Sequence, residues 1–190
     1  MTRRKRREYV PEWPEIAFEH YVLARVARQC GYWHAAAANA HFAVELMLKF
    51  LLWLPQPWRP APAWAGRGKP LTVAQLRSFN HRLLRIWQAF EAGYPGHKLA
   101  EFSSFVAELD RWGAIRYAQL VESGATIFAL TIEDAARSRS ANPGKSDEVF
   151  ALDMPTLDEF YRGLLEVGGV SFYLRGVQIH GSRGTCLLRG

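Results

Sequence analysis

Cysteines and long apolar runs are both scarce in this chain. Its 190 residues contain two cysteines, Cys30 and Cys186, and their separation excludes a disulfide framework and a paired-cysteine metal motif. No uninterrupted apolar run reaches 18 residues, since the most hydrophobic segment, residues 42–54, contains Glu45 and Lys49. The N-terminus also lacks the apolar core of a secretory signal. We therefore expect a cytoplasmic protein without a membrane span.

Motifs that hold a cofactor or a metal are also missing. The segment Gly66 to Lys69 has the glycines of a phosphate loop, but it lacks the Ser or Thr and the helix-opening context. The sequence has no nucleophile elbow and no zinc-ligand spacing. The Glu-x-x-His spacing of di-iron bundles is absent too. We predict no cofactor and no metal site.

The net charge of +6 depends on a short N-terminal segment. Residues 3–7 are all basic, and without them 19 basic residues face 18 acidic ones. Such an arm can bind phosphate nonspecifically, although solvated basic tails are also common at chain termini. We assign residues 1–13 to a basic arm, 14–180 to one domain and 181–190 to a tail, because 190 residues with 49% hydrophobic content suit a single core.

Apolar periodicity predicts a mainly all-α fold, an up-down bundle of four to five helices. The first two helices, residues 15–30 and 33–54, form an antiparallel hairpin around Gly31. Apolar positions at spacings of three and four predict the buried face of the first helix: Ile16, Val22, Leu23, Val26, Ala27 and Cys30. The proline-rich residues 55–70 are a loop whose Trp58 and Trp64 either pack on the bundle or form a partner surface.

The second half of the chain contains the remaining predicted elements. Helices are expected over residues 72–92 and 97–112, and a small β-hairpin follows from 126–132 and 148–152. Thr156 and Glu159 form a capping box that starts the last helix. Gly168 and Gly169 either close that helix or pack inside a longer one, so residues 166–180 are open between helix and strand.

A polar stripe runs along the second helix. At 100° per residue, His34, His41, Glu45 and Lys49 fall within about 80° of one another, while the opposite side is apolar. This stripe is either an interhelical network or the wall of a groove. In a groove His34, His41 and Lys49 could meet phosphate or base edges while Tyr32 or Trp33 stacks on a base.

Three short motifs resemble those of HEPN domains, a family of helical nucleotide-binding proteins. The second helix has the pattern G-x-Y, Ala, then Ala-x-Glu-x-x-x-Lys-x-x-Leu at Gly31, Tyr32, Ala35, Ala43, Glu45, Lys49 and Leu52. Asn80, His81 and Leu83 resemble the family's His-x-Leu motif, and Arg116 with Tyr117 resembles its Arg-Tyr. The resemblance implies a helical bundle, often a homodimer, that binds or cleaves RNA or binds nucleotides. It also implies a nucleotidyltransferase-like protein partner.

Catalytic members of that family cleave RNA with an Arg, four to six residues and a His near the start of the last helix. The chemistry needs a base for the 2′-hydroxyl proton and a cation for the charged phosphorane. Arg175 with His180, and Arg28 with His34, have suitable spacings. Neither pair stands at the predicted start of the last helix, and Arg175 is followed by Gly176 where the family usually has a polar residue.

The sequence therefore predicts a noncatalytic HEPN-like module that binds RNA, a nucleotide or a protein partner. Its candidate ligand-binding residues are His34, His41, Glu45, Lys49 and His81. One alternative is a metal-independent endoribonuclease that acts as the toxin of a toxin–antitoxin pair. Another is a structural subunit without a ligand.

Overall fold

A computed structural model describes residues 12–54, 69–95, 97–115 and 126–169, and every structural statement below concerns these residues. The basic arm, the tryptophan-containing loop, the Arg116–Tyr117 motif, the Arg175–His180 pair and the C-terminal tail lie outside them. Helices dominate the described residues, which confirms the predicted mainly α-helical fold.

The first two helices form the predicted antiparallel hairpin. Helix α1 spans Trp13–Gln29 and α2 spans Trp33–Trp53. Gly31 takes the left-handed conformation (φ +78°), which side chains other than hydrogen disfavour, and it lets the chain reverse within three residues. The Tyr32 N–H donates to the Ala27 carbonyl at 2.8 Å and closes the turn.

Helix α2 lies at the centre of the molecule. It contacts α1 and the later helices α4 (Leu83–Gly93), α5 (Ser103–Ile115) and α7 (Met154–Gly168). Its small and apolar side chains on several faces are buried in one large core. Within the described residues, α2 alone is long and apolar enough to cross a membrane, and 67% of its most apolar stretch is buried by the fold. Core helices of soluble proteins share these properties, so they do not assign the protein to a membrane.

Helix α1 packs through a different face from the one predicted. Four of its predicted core positions are exposed: Ile16, Leu23, Val26 and Cys30. Ala17 and Ala24 face the core instead, where their small side chains allow α1 to lie close to α2. Tyr21 and Arg25 also turn inward, because both bind the buried Asp158 of α7; Tyr21 donates at 2.7 Å and Arg25 forms an ion pair.

The predicted third helix is two helices. A capping box between Thr72 and Gln75 begins α3, which spans Val73–Ser78, and α4 starts only at Leu83. Asn80, between them, has φ +53°, a left-handed conformation that ends a helix and that Asn tolerates better than most residues. The next predicted helix also starts later, with a 3₁₀ turn at Ala100–Phe102 leading into α5.

The predicted β-hairpin is wrong. Strands β1 (Ile127–Ala129) and β2 (Val149–Ala151) pair in parallel, with Phe128 opposite Phe150. Helix α6 (Ile132–Ala141) and a 3₁₀ segment (Pro143–Glu148) occupy the region that the sequence suggested to be a turn. Thr131 caps α6 by accepting from the Asp134 N–H. Because two parallel strands cannot be joined by a tight turn, α6 and the 3₁₀ segment form the crossover between β1 and β2.

Helix α7 begins earlier than predicted and ends at the predicted glycines. The Asp153 side chain accepts from the Thr156 N–H at 3.0 Å, so Asp153 caps the helix in place of Thr156. Gly169 is left-handed (φ +65°) and closes the helix after Gly168. The choice between helix and strand is therefore settled through residue 169, and residues 170–180 lie outside the described part.

We predict that Asp153→Ala lowers the free energy of unfolding by about 1 kcal/mol, because it removes the only side-chain acceptor at the start of α7 among the described residues. Thr156→Ala is the matched control and should cost less, since the Thr156 side chain does not cap this helix. Urea denaturation of both variants measures the difference. A larger loss for Thr156→Ala would restore the capping box predicted from sequence.

Candidate functional site

Glu45 is the centre of a buried polar cluster in the middle of α2. It is 2% exposed, and Lys49 donates to its Oε1 at 2.6 Å. His81, from the turn between α3 and α4, places Nδ1 3.1 Å from both carboxylate oxygens. His41 Nε2 lies 3.4 Å from Oε2, which is ion-pair range without a well-formed hydrogen bond. Residues from two elements thus converge on one carboxylate.

These neighbours hold Glu45 in its ionised form. Burial on its own would raise the pKa of the carboxyl. The contacts with His41, Lys49 and His81 outweigh burial and lower the pKa from 4.5 to about 2. A carboxylate that is this weakly basic and this fully surrounded is suited to anchoring other groups, and it is a poor proton acceptor near neutral pH.

Lys49 extends the cluster to the α3–α4 turn. Its Nζ donates to Glu45 and also to the carbonyl oxygen of Asn80 at 2.9 Å. The left-handed Asn80 and the neighbouring His81 are therefore both fixed to α2 through one carboxylate and one ammonium group. The Asn80–His81 motif and the Glu45–Lys49 motif, which are 31 to 36 positions apart in the sequence, form a single structural unit.

His41 connects the cluster to α5. It is fully buried, and its Nδ1 lies 2.9 Å from the Leu109 carbonyl oxygen, which can only accept, so Nδ1 carries the hydrogen. The ring lies against Gly113, where an added Cβ would come within 2.3 Å of Cε1. The predicted polar stripe is consequently covered by α5 at His41, while His34 at its start is exposed.

Basic side chains are concentrated on the segment of α3, the following turn and α4 that contains His81. We call Arg77, His81, Arg82 and Arg85 the basic turn; all four are exposed. No ion pair among the described residues involves any of its three arginines. Asp110 of α5 reaches this region, but it accepts from the Leu84 N–H at 3.1 Å and caps the start of α4.

Acidic residues are distributed unevenly along the chain, and the net charge of the whole chain does not show this. Between Glu19 and Glu91 the sequence has nine lysine and arginine residues and a single carboxylate, Glu45. Because Glu45 is buried, this stretch adds no exposed carboxylate to the surface that the structure describes. The arginines of the basic turn were not predicted from the sequence, because the net charge was compared only between the N-terminal arm and all the remaining residues. A running charge count would have found them.

A second group of side chains lies at the other end of α2. We call Arg28, Tyr32, Trp33, His34 and Phe128 the hairpin tip. The Arg28 guanidinium lies 3.6 Å from the Trp33 ring centroid, and Trp33 stacks on Phe128 with centroids 5.5 Å apart. His34 meets Phe128 edge-on at 5.2 Å and is exposed. Arg28 and His34, predicted as a catalytic pair, are thus brought to one tip, together with Phe128 from β1, which sequence spacing could not associate with them.

Potential metal ligands do not cluster in the described residues: no group of three or more His, Cys, Asp or Glu side chains is placed to hold a metal ion there. No family model matches the chain, and the comparisons with curated proteins and with solved structures gave no match. The resemblance to HEPN domains therefore rests on the short motifs alone and stays a prediction.

We predict that Glu45→Gln destabilises the protein at neutral pH by about 3 kcal/mol, the linkage value of a carboxyl whose pKa falls from 4.5 to about 2 on folding. This stabilisation is present above pH 4.5 and is lost as the pH falls toward 2, because the folded state then binds the proton less readily than the unfolded chain. Urea denaturation across this range should show the two proteins converging at low pH. Parallel pH curves would contradict the assignment.

We also predict that Gly113→Ala destabilises the protein, although alanine favours a helix by about 1 kcal/mol over glycine. The new methyl group would overlap the His41 ring, and overpacking of this kind costs about 1–3 kcal/mol. Gly144→Ala is the control, since nothing lies within 4 Å of a Cβ at that position. Thermal and urea denaturation compare the variants, and an unchanged Gly113→Ala protein would show that the His41 ring is free to move away.

Proposed function

We propose that this protein is a noncatalytic RNA-binding module, and that RNA binds to the surface formed by residues 20–54 and 69–90. The observation that carries this proposal is that these residues contribute no exposed carboxylate to the surface, because Glu45 is their one acidic residue and is buried. A polyanion is attracted to such a surface. Asp110 of α5 also reaches this region, but its carboxylate is engaged by the Leu84 N–H.

The anchored basic turn supports this function. Its backbone is held by the Lys49 contact to Asn80, and His81 is held by the Glu45 carboxylate. A cationic loop that is already ordered loses less conformational entropy when it binds phosphate than a mobile one. The arginines have no acidic partner to give up among the described residues, so binding costs no internal ion pair.

Binding is favoured over cleavage by the state of the polar groups. Glu45 has a pKa of about 2 and is enclosed, and His81 uses Nδ1 to contact it. The Lys49 ammonium group donates to both the Glu45 carboxylate and the Asn80 carbonyl, so its charge stabilises the fold. The resemblance to HEPN domains supports RNA as the ligand. A homodimer and a nucleotidyltransferase-like partner are proposed from that resemblance as well, and the exposed side of α1 with Ile16, Leu23 and Val26 is available to either.

We predict that replacing Arg77, Arg82 and Arg85 together by Ala weakens binding of a fluorescein-labelled single-stranded RNA by about tenfold or more and lowers the salt slope by about 2, as expected for three lost phosphate contacts. The control replaces Lys98, Arg137 and Lys145 by Ala, which removes the same charge from exposed positions in the acid-containing half of the chain. Fluorescence anisotropy at two or more salt concentrations measures both effects, with a chain lacking residues 1–8 run alongside.

The outcomes separate the candidate functions. A larger loss in the basic-turn variant than in the control, with the RNA recovered intact on a gel, supports the proposal. Equal losses of affinity in both variants would show that binding depends only on net charge. Binding that disappears only when residues 1–8 are removed would assign RNA binding to the N-terminal arm. Site-specific cleavage, abolished by His180→Ala or by His34→Ala, would establish the ribonuclease alternative.

A further inference from the structure

The rings of Trp33 and Phe128 in the hairpin tip are fixed in position. Arg28 covers the Trp33 ring at 3.6 Å, and Phe128 stacks on Trp33 with an interplanar angle of 19°. Trp112, which is buried on α5, lies 5.3 Å from Phe128 and 5.5 Å from His34 between ring centroids. Three elements, the α1–α2 hairpin, α5 and β1, thus build one rigid aromatic group at the surface.

Tyr32 stands beside this group without a side-chain partner in the described part of the chain. It is 69% exposed, the highest value among the exposed large hydrophobic side chains. Its backbone is held in place by the hydrogen bond from its N–H to Ala27 and by the left-handed Gly31 before it. A phenol ring on an ordered backbone, largely exposed and without a ring contact among the described residues, has the form of a stacking platform.

The charge at the tip favours a ligand that is both aromatic and anionic. No ion pair among the described residues involves Arg28, and burial lowers the pKa of its guanidinium, as expected where no carboxylate offsets the cost of desolvation. Glu19 and Glu45 are the nearest acidic residues in the sequence, and Glu45 is enclosed in its own cluster. His34 adds ring nitrogens that form no hydrogen bond to the described residues and can meet the edge of a base.

We propose that the hairpin tip binds an unpaired RNA base, which stacks on Tyr32 while Arg28 and His34 meet the adjoining phosphate and base edge. This inference rests on the proposed function and specifies its ligand as single-stranded RNA. A base in a duplex is already stacked and cannot stack on Tyr32. The hairpin tip should therefore prefer single-stranded RNA to a duplex, whereas the basic turn, which contacts phosphate, should not distinguish them. The two sites lie toward opposite ends of α2, about 24 Å apart for the 16 residues between Trp33 and Lys49.

The test compares three probes with the full-length chain: a labelled adenylate strand of about 12 nucleotides, an abasic ribose-phosphate strand of equal length and a duplex of that length, in the size range that single-strand binders cover. Anisotropy gives the dissociation constant of each. Tyr32→Ala should weaken binding of the adenylate strand about tenfold, the value of one lost base stack, and leave the other two probes unchanged. Tyr32→Phe should restore wild-type binding, because the ring and not the hydroxyl makes the stack. Leu130→Ala, a control at another exposed side chain next to β1, should have no effect.

Each other outcome has a distinct meaning. Wild-type protein that binds the abasic and adenylate strands equally, with Tyr32→Ala unchanged, would overturn this inference and leave the proposed function standing. No binding to any probe would overturn both. Unchanged RNA binding with an altered oligomeric state of Tyr32→Ala and Leu130→Ala by sedimentation would make the tip a protein interface and overturn the inference.

Discussion

The buried charge of Glu45 is the constraint on which much of this structure depends. A carboxylate taken out of water must be compensated by nearby polar groups, and α2 by itself supplies one hydrogen bond, from Lys49, with His41 Nε2 3.4 Å away. The α3–α4 turn completes the set with His81, and in return Lys49 fixes the carbonyl of Asn80. The position of α5 is tied to the same group, because His41 bonds Leu109 and needs the space at Gly113. One ionised side chain thereby sets the arrangement of three neighbouring segments.

Burial of Glu45 also determines what the surface presents. Were this side chain exposed, the stretch between Glu19 and Glu91 would carry one negative charge among its cations. With Glu45 inside, that stretch adds only neutral and positive side chains to the surface that the structure describes. The burial of Glu45 therefore has two consequences: it forms the polar cluster in the interior, and it removes a negative charge from the proposed RNA-binding surface.

Elements governed by local signals could be predicted from the sequence, and elements governed by distant contacts could not. The turn at Gly31, the length of α2 and the end of α7 at Gly169 follow from glycine conformation and apolar periodicity. The buried side of α1 did not follow, because Tyr21 and Arg25 turn inward to meet Asp158, more than 130 residues away. The break at Asn80 escaped prediction for the same reason, since its stabilising contact is Lys49. For the site, helical spacing correctly grouped His41, Glu45 and Lys49, but it could not show that α5 covers His41 or that Phe128 stacks on Trp33.

Phe128 follows Trp33 by almost a hundred positions, so the stacking of these two rings in the hairpin tip is a long-range contact that closes a large loop of the chain. The contacts between α1 and α2 are local and can form as soon as that hairpin is synthesised. Among the described residues β1 pairs with β2, which comes later still. A two-stranded sheet of three residue pairs has little stability of its own, so it persists by docking on the bundle. During translation the tip is therefore among the last parts of the described structure to be completed, and a nascent chain that ends before β1 carries Trp33 without its stacking partner.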